Sequence, residues 1–237
     1  MTMPNLARML PKFSVIAAAL AAAYAVSFQL ARADDPRVLP SPAVDEKSAA
    51  ASETAVLAGG CFWGVQGVFE HVKGVTSVVS GYAGGGAATA HYEIVGTELT
   101  GHAESVRIAF NPKEISYGQL LRIYFSVAHD PTELNRQGPD EGPSYRSEIF
   151  FTTPEQEKVA RAYITQLTKA RLFVSPIVTK LEPLKGFYAA EGYHQDYLIH
   201  HPESPYIQVN DLPKIAHLRA LYPALYRERP VMVTARS

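Results

Sequence analysis

Between Thr54 and Lys169 the spacing of apolar residues switches repeatedly between strand and helix periods, and the order of those switches leaves few folds open. Thr54–Ala58 is a short continuous apolar run, the pattern of a buried strand. Val65–Val72 then reads as a helix that ends near Gly74. Val75–Tyr82 is a second strand, closed by the loop Gly84-Gly85-Gly86. Ala103–Phe110 alternates polar and apolar side chains, as a half-buried strand does, and stops at Asn111-Pro112. A helix from Ser116, as N-cap, to Ala128 precedes the strand Ser147–Phe151, and Thr153-Pro154 opens a further helix to Lys169. The result is βαββαβ, a two-layer α/β (α+β) arrangement of ferredoxin-like type with long loops. A later strand near Ile177–Leu181, a helix near Glu191–His200 and a C-terminal helical extension complete the expectation.

The N-terminus bears on compartment. Arg8 and Lys12 precede an Ala-rich apolar run from Phe13 to Leu30, and Ala31-Arg32-Ala33 places small residues where a signal peptidase cleaves. Residues 1–33 are expected to be a signal peptide that delivers a bacterial protein to the periplasm or beyond. The alternative is an uncleaved anchor in the inner membrane, facing the periplasm. Residues 34–52, rich in Pro, Ala and Ser, read as a flexible linker. Residues 53–211 form the expected catalytic domain and 212–237 a C-terminal extension. A net charge of −1 gives no reason to expect nucleic acid or an anionic surface as partner.

The chain has one cysteine, Cys61, so it forms no internal disulfide, and any redox chemistry must finish with an outside partner. Cys61 lies between strand and helix in Gly60-Cys61-Phe62-Trp63-Gly64. A thiolate is the reactive form, and a helix N-terminus favours negative charge, so a lowered thiol pKa is expected there. The long loops 84–100 and 129–145 are where a site would be built.

The ordered set Gly-Cys-Phe-Trp-Gly at 60–64, Gly81-Tyr82-Ala83-Gly84-Gly85, Gly101-His102-Ala103-Glu104, Asp130-Pro131-Thr132, Asn135-Arg136-Gln137-Gly138, Tyr145-Arg146-Ser147 and Tyr193-His194-Gln195-Asp196-Tyr197-Leu198 resembles the peptide methionine sulfoxide reductase A family over roughly residues 53 to 205. The resemblance implies reduction of methionine-(S)-sulfoxide, free or in oxidised proteins, in a site without bound cofactor or metal. It implies that Cys61 is the nucleophile and Glu104 the proton donor, kept protonated by burial. Tyr92 and Tyr145 match phenols that bond the sulfoxide oxygen, and Asp140 an acidic residue that orders the site. Phe62 and Trp63 match the pocket for the substrate methyl group, where sulfur–aromatic contact gives a physical basis. Cys61 would end as a sulfenic acid.

Many relatives carry further cysteines near the C-terminus that attack the sulfenic acid, whereas this chain reads Pro205-Tyr206-Ile207 there. The implied reductant is therefore an external thiol, thioredoxin-like, glutaredoxin-like or small. A monomer is expected. Taken singly, Glu104 would be a solvent-facing strand residue, and His194, with His200 and His201, a capping or solvated group rather than a metal ligand. Two other readings stay open: a cysteine hydrolase with Cys61 activated by His102 or His194, and a non-catalytic module whose Trp63 and tyrosines grip an apolar or oxidised peptide.

Overall fold

The computed structural model describes residues 37–233. The expected signal peptide, the first residues of the linker and the last four of the chain lie outside them. The elements in chain order are β1 (Glu53–Gly59), α1 (Phe62–Glu70), β2 (Val75–Ala83), α2 (Tyr92–Val95), β3 (Ala103–Phe110), α3 (Tyr117–Ile123), β4 (Arg136–Gln137), β5 (Asp140–Glu141), β6 (Ser147–Phe151), α4 (Pro154–Lys169), β7 (Lys180–Pro183), β8 (Phe187–Ala189), α5 (Tyr197–His200) and α6 (Leu212–Leu221).

A curled six-stranded sheet runs in the order β7-β6-β1-β3-β2-β8. Its middle four strands are the expected βαββαβ core, with antiparallel pairing that sets Leu57 opposite Val106 and Tyr82 opposite Glu104. β7 adds in parallel to β6, and β8 antiparallel to β2. Strand alternation sorts side chains onto the two faces. Ala55, Leu57, Val78, Ile108 and Ile149 face Phe69 of α1, Leu120 of α3 and Tyr163 of α4 in the main core. Val56, Ala58, Ala103 and Phe150 form a smaller cluster with Leu184 and Phe187.

Two expected helices differ from their sequence reading. The helix from Ser116 has the expected N-cap, completed as a capping box by Gln119, but its last turn widens into a π-helical turn over Tyr124–Ala128. There the Tyr124 hydroxyl donates to the Ala58 carbonyl at 2.6 Å. The helix near 191–200 is broken into a 3₁₀ turn (Gly192–His194) and α5, because Asp196 adopts a left-handed conformation (φ 52°). Buried amides hold that break. The Asp196 N–H donates to Gln66 (3.0 Å), and the Gln195 side chain bonds the backbone of Ser80 and Ala190.

The segment read as a free linker is anchored over residues 37–46. Leu39 enters the main core, Arg122 donates to its carbonyl at 2.6 Å, and Tyr163 donates to Pro40 at 2.9 Å. Burying one leucine contributes about 2 kcal/mol, which a polar Pro/Ala/Ser composition conceals. At the other end, α6 lies against α1, and Arg227 donates its N–H to the His71 carbonyl at 2.8 Å. No helix among the described residues is long and apolar enough to cross a membrane.

Candidate active site

β1 ends at Gly59, and Gly60, with a φ of +88°, turns the chain sharply into α1. A Cβ at Gly60 would stand 2.5 Å from Cβ of Gln137, so only glycine allows this approach. Cys61 then takes the N-cap position of α1. It is 9% exposed and lines a cavity of about 200 Å³ with Phe62, Trp63, Tyr92, Glu104, Asp140, Tyr145 and Tyr206. The expected lowering of its pKa does not hold. The Trp63 N–H at the helix start does pull the thiol down, but burial outweighs it, and negative charge at Glu104 and Asp211 adds to the rise. The resting group is a thiol.

Glu104 is buried at 4% exposure, contrary to its strand-surface reading, because its alternation points it across the sheet end toward α1. Its Oε2 accepts from the Phe62 N–H at 2.9 Å, while Oε1 has no protein partner among the described residues. Burial raises its pKa to about 8; the Phe62 bond opposes that rise, and negative charge at Asp140 and Glu98 reinforces it. Glu104 is therefore protonated at neutral pH and offers its proton to the cavity.

The two long loops bring the remaining groups. Tyr92 opens α2, whose first N–H donates to Glu191 at 3.0 Å, and Glu191 also accepts from the Tyr82 hydroxyl at 2.9 Å. Tyr145 ends a 3₁₀ turn whose Ser144 donates twice to Glu98, at 2.8 and 2.7 Å. Arg146 staples this turn to the start of β3 through the carbonyls of Gly101 (3.0 Å) and His102 (3.1 Å), and pairs with buried Glu148 at 2.6 Å. Asp140 is set by the β4–β5 hairpin, where it pairs with Gln137. Burial raises the Tyr92 pKa to about 12 and that of Tyr145 further, so both are neutral hydrogen-bond donors.

Sequence reasoning missed three participants. His194, read as a cap or solvated group, is 2% exposed; its Nδ1 accepts from Trp63 Nε1–H at 3.1 Å, and its ring lies 5.0 Å from Phe62 and 4.4 Å from Tyr92. Burial lowers its pKa, which keeps it neutral. Tyr206 donates its hydroxyl to Asp140 and meets Trp63 edge-on at 5.9 Å. Asp211, fully buried and paired with Lys214 at 3.1 Å, lies against Gly64, where a Cβ would be 2.0 Å from its carboxylate. An aromatic at 206 and a helical glycine at 64 were the available signals. His102 spends its ring nitrogens on Gly85 and Gly86, and His194 its Nδ1 on Trp63, so neither is bonded to Cys61 as a hydrolase base. Among the described residues no group of His, Cys, Asp or Glu is arranged to hold a metal ion.

A thiol, a protonated carboxyl group and neutral phenols around one small cavity define a class of site: a nucleophile beside groups that protonate and bond a substrate oxygen. The sequence model described as Peptide methionine sulfoxide reductase matches residues 53–224. A relative from Mesorhizobium japonicum, peptide methionine sulfoxide reductase MsrA 2, is 60% identical over 82% of this chain and all of its own length. Another of that name from Synechocystis is 50% identical over 78% of this chain and 89% of its own. Among solved structures, reduced Mxr1 from Saccharomyces cerevisiae superposes with a TM-score of 0.59 at 32% identity, covering 68% of this chain and 92% of that one. Methionine sulfoxide reductase A of Corynebacterium diphtheriae gives 0.56 at 29% identity, over 73% and 91%. The chain belongs to the peptide methionine sulfoxide reductase family.

Proposed function

We propose that this chain reduces methionine sulfoxide, the S epimer, free or in oxidised proteins, through a sulfenic acid at Cys61. The observation that carries the reading is the Glu104 carboxyl, protonated at neutral pH and bonded to the first turn of the helix that Cys61 caps.

The steps balance as follows. The sulfoxide oxygen, bonded by Tyr92 and Tyr145, takes one proton from Glu104 and one from the Cys61 thiol. It leaves as water as the Cys61 sulfur bonds the substrate sulfur. Water then adds to the Cys61 sulfur, the thioether departs with the electron pair of the S–S bond, and the released proton restores Glu104. Methionine is thereby reduced by two electrons and Cys61 oxidised by two. Phe62 and Trp63 enclose the methyl group, and Asp140, tied to Tyr206, orders the far wall. With one cysteine in the chain, the sulfenic acid is reduced by an external thiol, thioredoxin-like, glutaredoxin-like or small. Action in the periplasm or beyond is supported by the export-type N-terminal sequence, Arg8 and Lys12 before an Ala-rich apolar run.

The test is turnover of separated S and R epimers of N-acetylmethionine sulfoxide with dithiothreitol, beside Cys61→Ser. Reduction of the S epimer alone, lost in the variant, supports the reading. Reduction of neither epimer by folded protein overturns it.

A further inference from the structure

We infer that Glu104 serves as the acid in both half-reactions: after protonating the sulfoxide oxygen, the same carboxyl group protonates the hydroxide that leaves Cys61 when an external thiol recycles the enzyme. This rests on the sulfenic-acid reading above and extends it to the step that a second cysteine would otherwise perform.

The chemistry requires an acid there. An incoming thiolate attacks the Cys61 sulfur, an S–S bond forms, and the S–O bond breaks with its electron pair on oxygen. Unassisted, the leaving group is hydroxide, the conjugate base of a very weak acid and so a poor leaving group. A proton from Glu104 turns it into water. A second thiolate then attacks the outer sulfur and releases Cys61, and the protons shed by the two thiols restore Cys61 and Glu104. In sum, two thiols and one sulfenic acid give one disulfide, one thiol at Cys61 and one water.

The geometry leaves Glu104 as the group placed to do this. Its Oε2 is fixed by the Phe62 N–H at 2.9 Å, one residue from Cys61, which leaves Oε1, without a protein partner among the described residues, to carry the proton of a carboxyl group that lines the cavity. The first half-reaction returns a proton to this carboxyl group, so it is loaded when the sulfenic acid forms. The alternatives in the cavity are poorer. Tyr92 and Tyr145 are weak acids made weaker by burial. Asp140 accepts the Tyr206 hydroxyl bond, and Tyr206 is itself pushed up by burial. Cys61 itself is only 9% exposed, so bulk water has little access to the sulfur as an alternative proton source.

Hydrogen peroxide separates the two half-reactions, because it makes the Cys61 sulfenic acid without any sulfoxide. Wild type and Glu104→Gln are loaded with one equivalent of peroxide, the sulfenic acid is confirmed by intact mass, and its single-turnover loss to dithiothreitol is followed. The glutamine keeps an acceptor for the Phe62 N–H. Loss of a general acid is worth about 100-fold or more, so Glu104→Gln is expected to recycle at least about 100-fold more slowly at pH 7. In wild type, the rate per thiolate is expected to fall as pH rises through about 8, and that fall is expected to be missing in the variant. Equal recycling rates, or a wild-type rate per thiolate that is flat across pH 8, overturn the inference. The peroxide-loaded assay stands whether or not methionine sulfoxide proves to be the substrate, so the two failures are distinguishable.

Discussion

His194→Phe isolates what holds Trp63 in place. The wild-type ring accepts the Trp63 indole N–H at 3.1 Å and packs on Phe62 and Tyr92, while Tyr197 stacks on the indole at 3.7 Å. Phenylalanine keeps the packing and removes the acceptor together with the buried Nε2–H, which has no partner among the described residues and whose loss offsets part of the cost. A buried donor left unpaired costs about 1–3 kcal/mol. Trp63 is only partly buried, so the lower part of that range, about 1–2 kcal/mol, applies here. For a domain of this size that lowers Tm by roughly 2–8 °C. Trp63 is the chain's one tryptophan, so its emission spectrum reports the site directly and is expected to shift in the variant. KM for methionine sulfoxide is expected to rise several-fold with kcat less affected, because Trp63 walls the cavity and Glu104 moves the proton. The bond also has a pH sign. Burial holds the folded His194 pKa below its unfolded value near 6.5, so stability is full above that value and falls as pH drops through the folded pKa. The variant lacks this component. Unchanged Tm, emission and KM together would refute the assignment.

Other consequences follow from buried groups. Glu70 is fully buried beside Asp196, and burial, then the interaction with Asp196, raise its pKa well above the usual carboxylate range. Its stabilisation is therefore complete at acid pH and lost as pH rises through the folded value; Glu70→Gln is expected to flatten that loss in urea unfolding followed as pH rises, and an unaltered loss would count against it. The Cys61 thiol, raised by burial, is expected to react slowly with iodoacetamide at pH 7, with a rate still climbing above pH 9; a plateau below pH 7 would mean that the helix terminus outweighs burial.

The order of elements was legible because apolar periodicity encodes it directly. β3 and α4 have the bounds the sequence predicts, and Cys61 lies between strand and helix as expected. The break in the helix near 191–200 was not legible, since it depends on buried amides of Gln66 and Gln195 that meet only in the folded molecule. The anchoring of residues 37–46 escaped notice for a related reason: one leucine carries it within a polar segment. The thiol pKa was misjudged because a helix N-terminus is visible in sequence and desolvation is not. The site residues came from an ordered set of motifs resembling a family, and the structure brings all seven around one cavity. Tyr206 and His194 were missed because their partners, Asp140 and Trp63, lie far away in sequence.

The most direct measurement mixes the reduced protein with excess methionine-(S)-sulfoxide in the absence of any thiol, and follows both the thioether released and the intact mass. The account predicts one equivalent of methionine per chain and then arrest, with one oxygen gained at Cys61 and removed again by added thiol. Continued turnover without a thiol, or no release at all from folded protein, would contradict it.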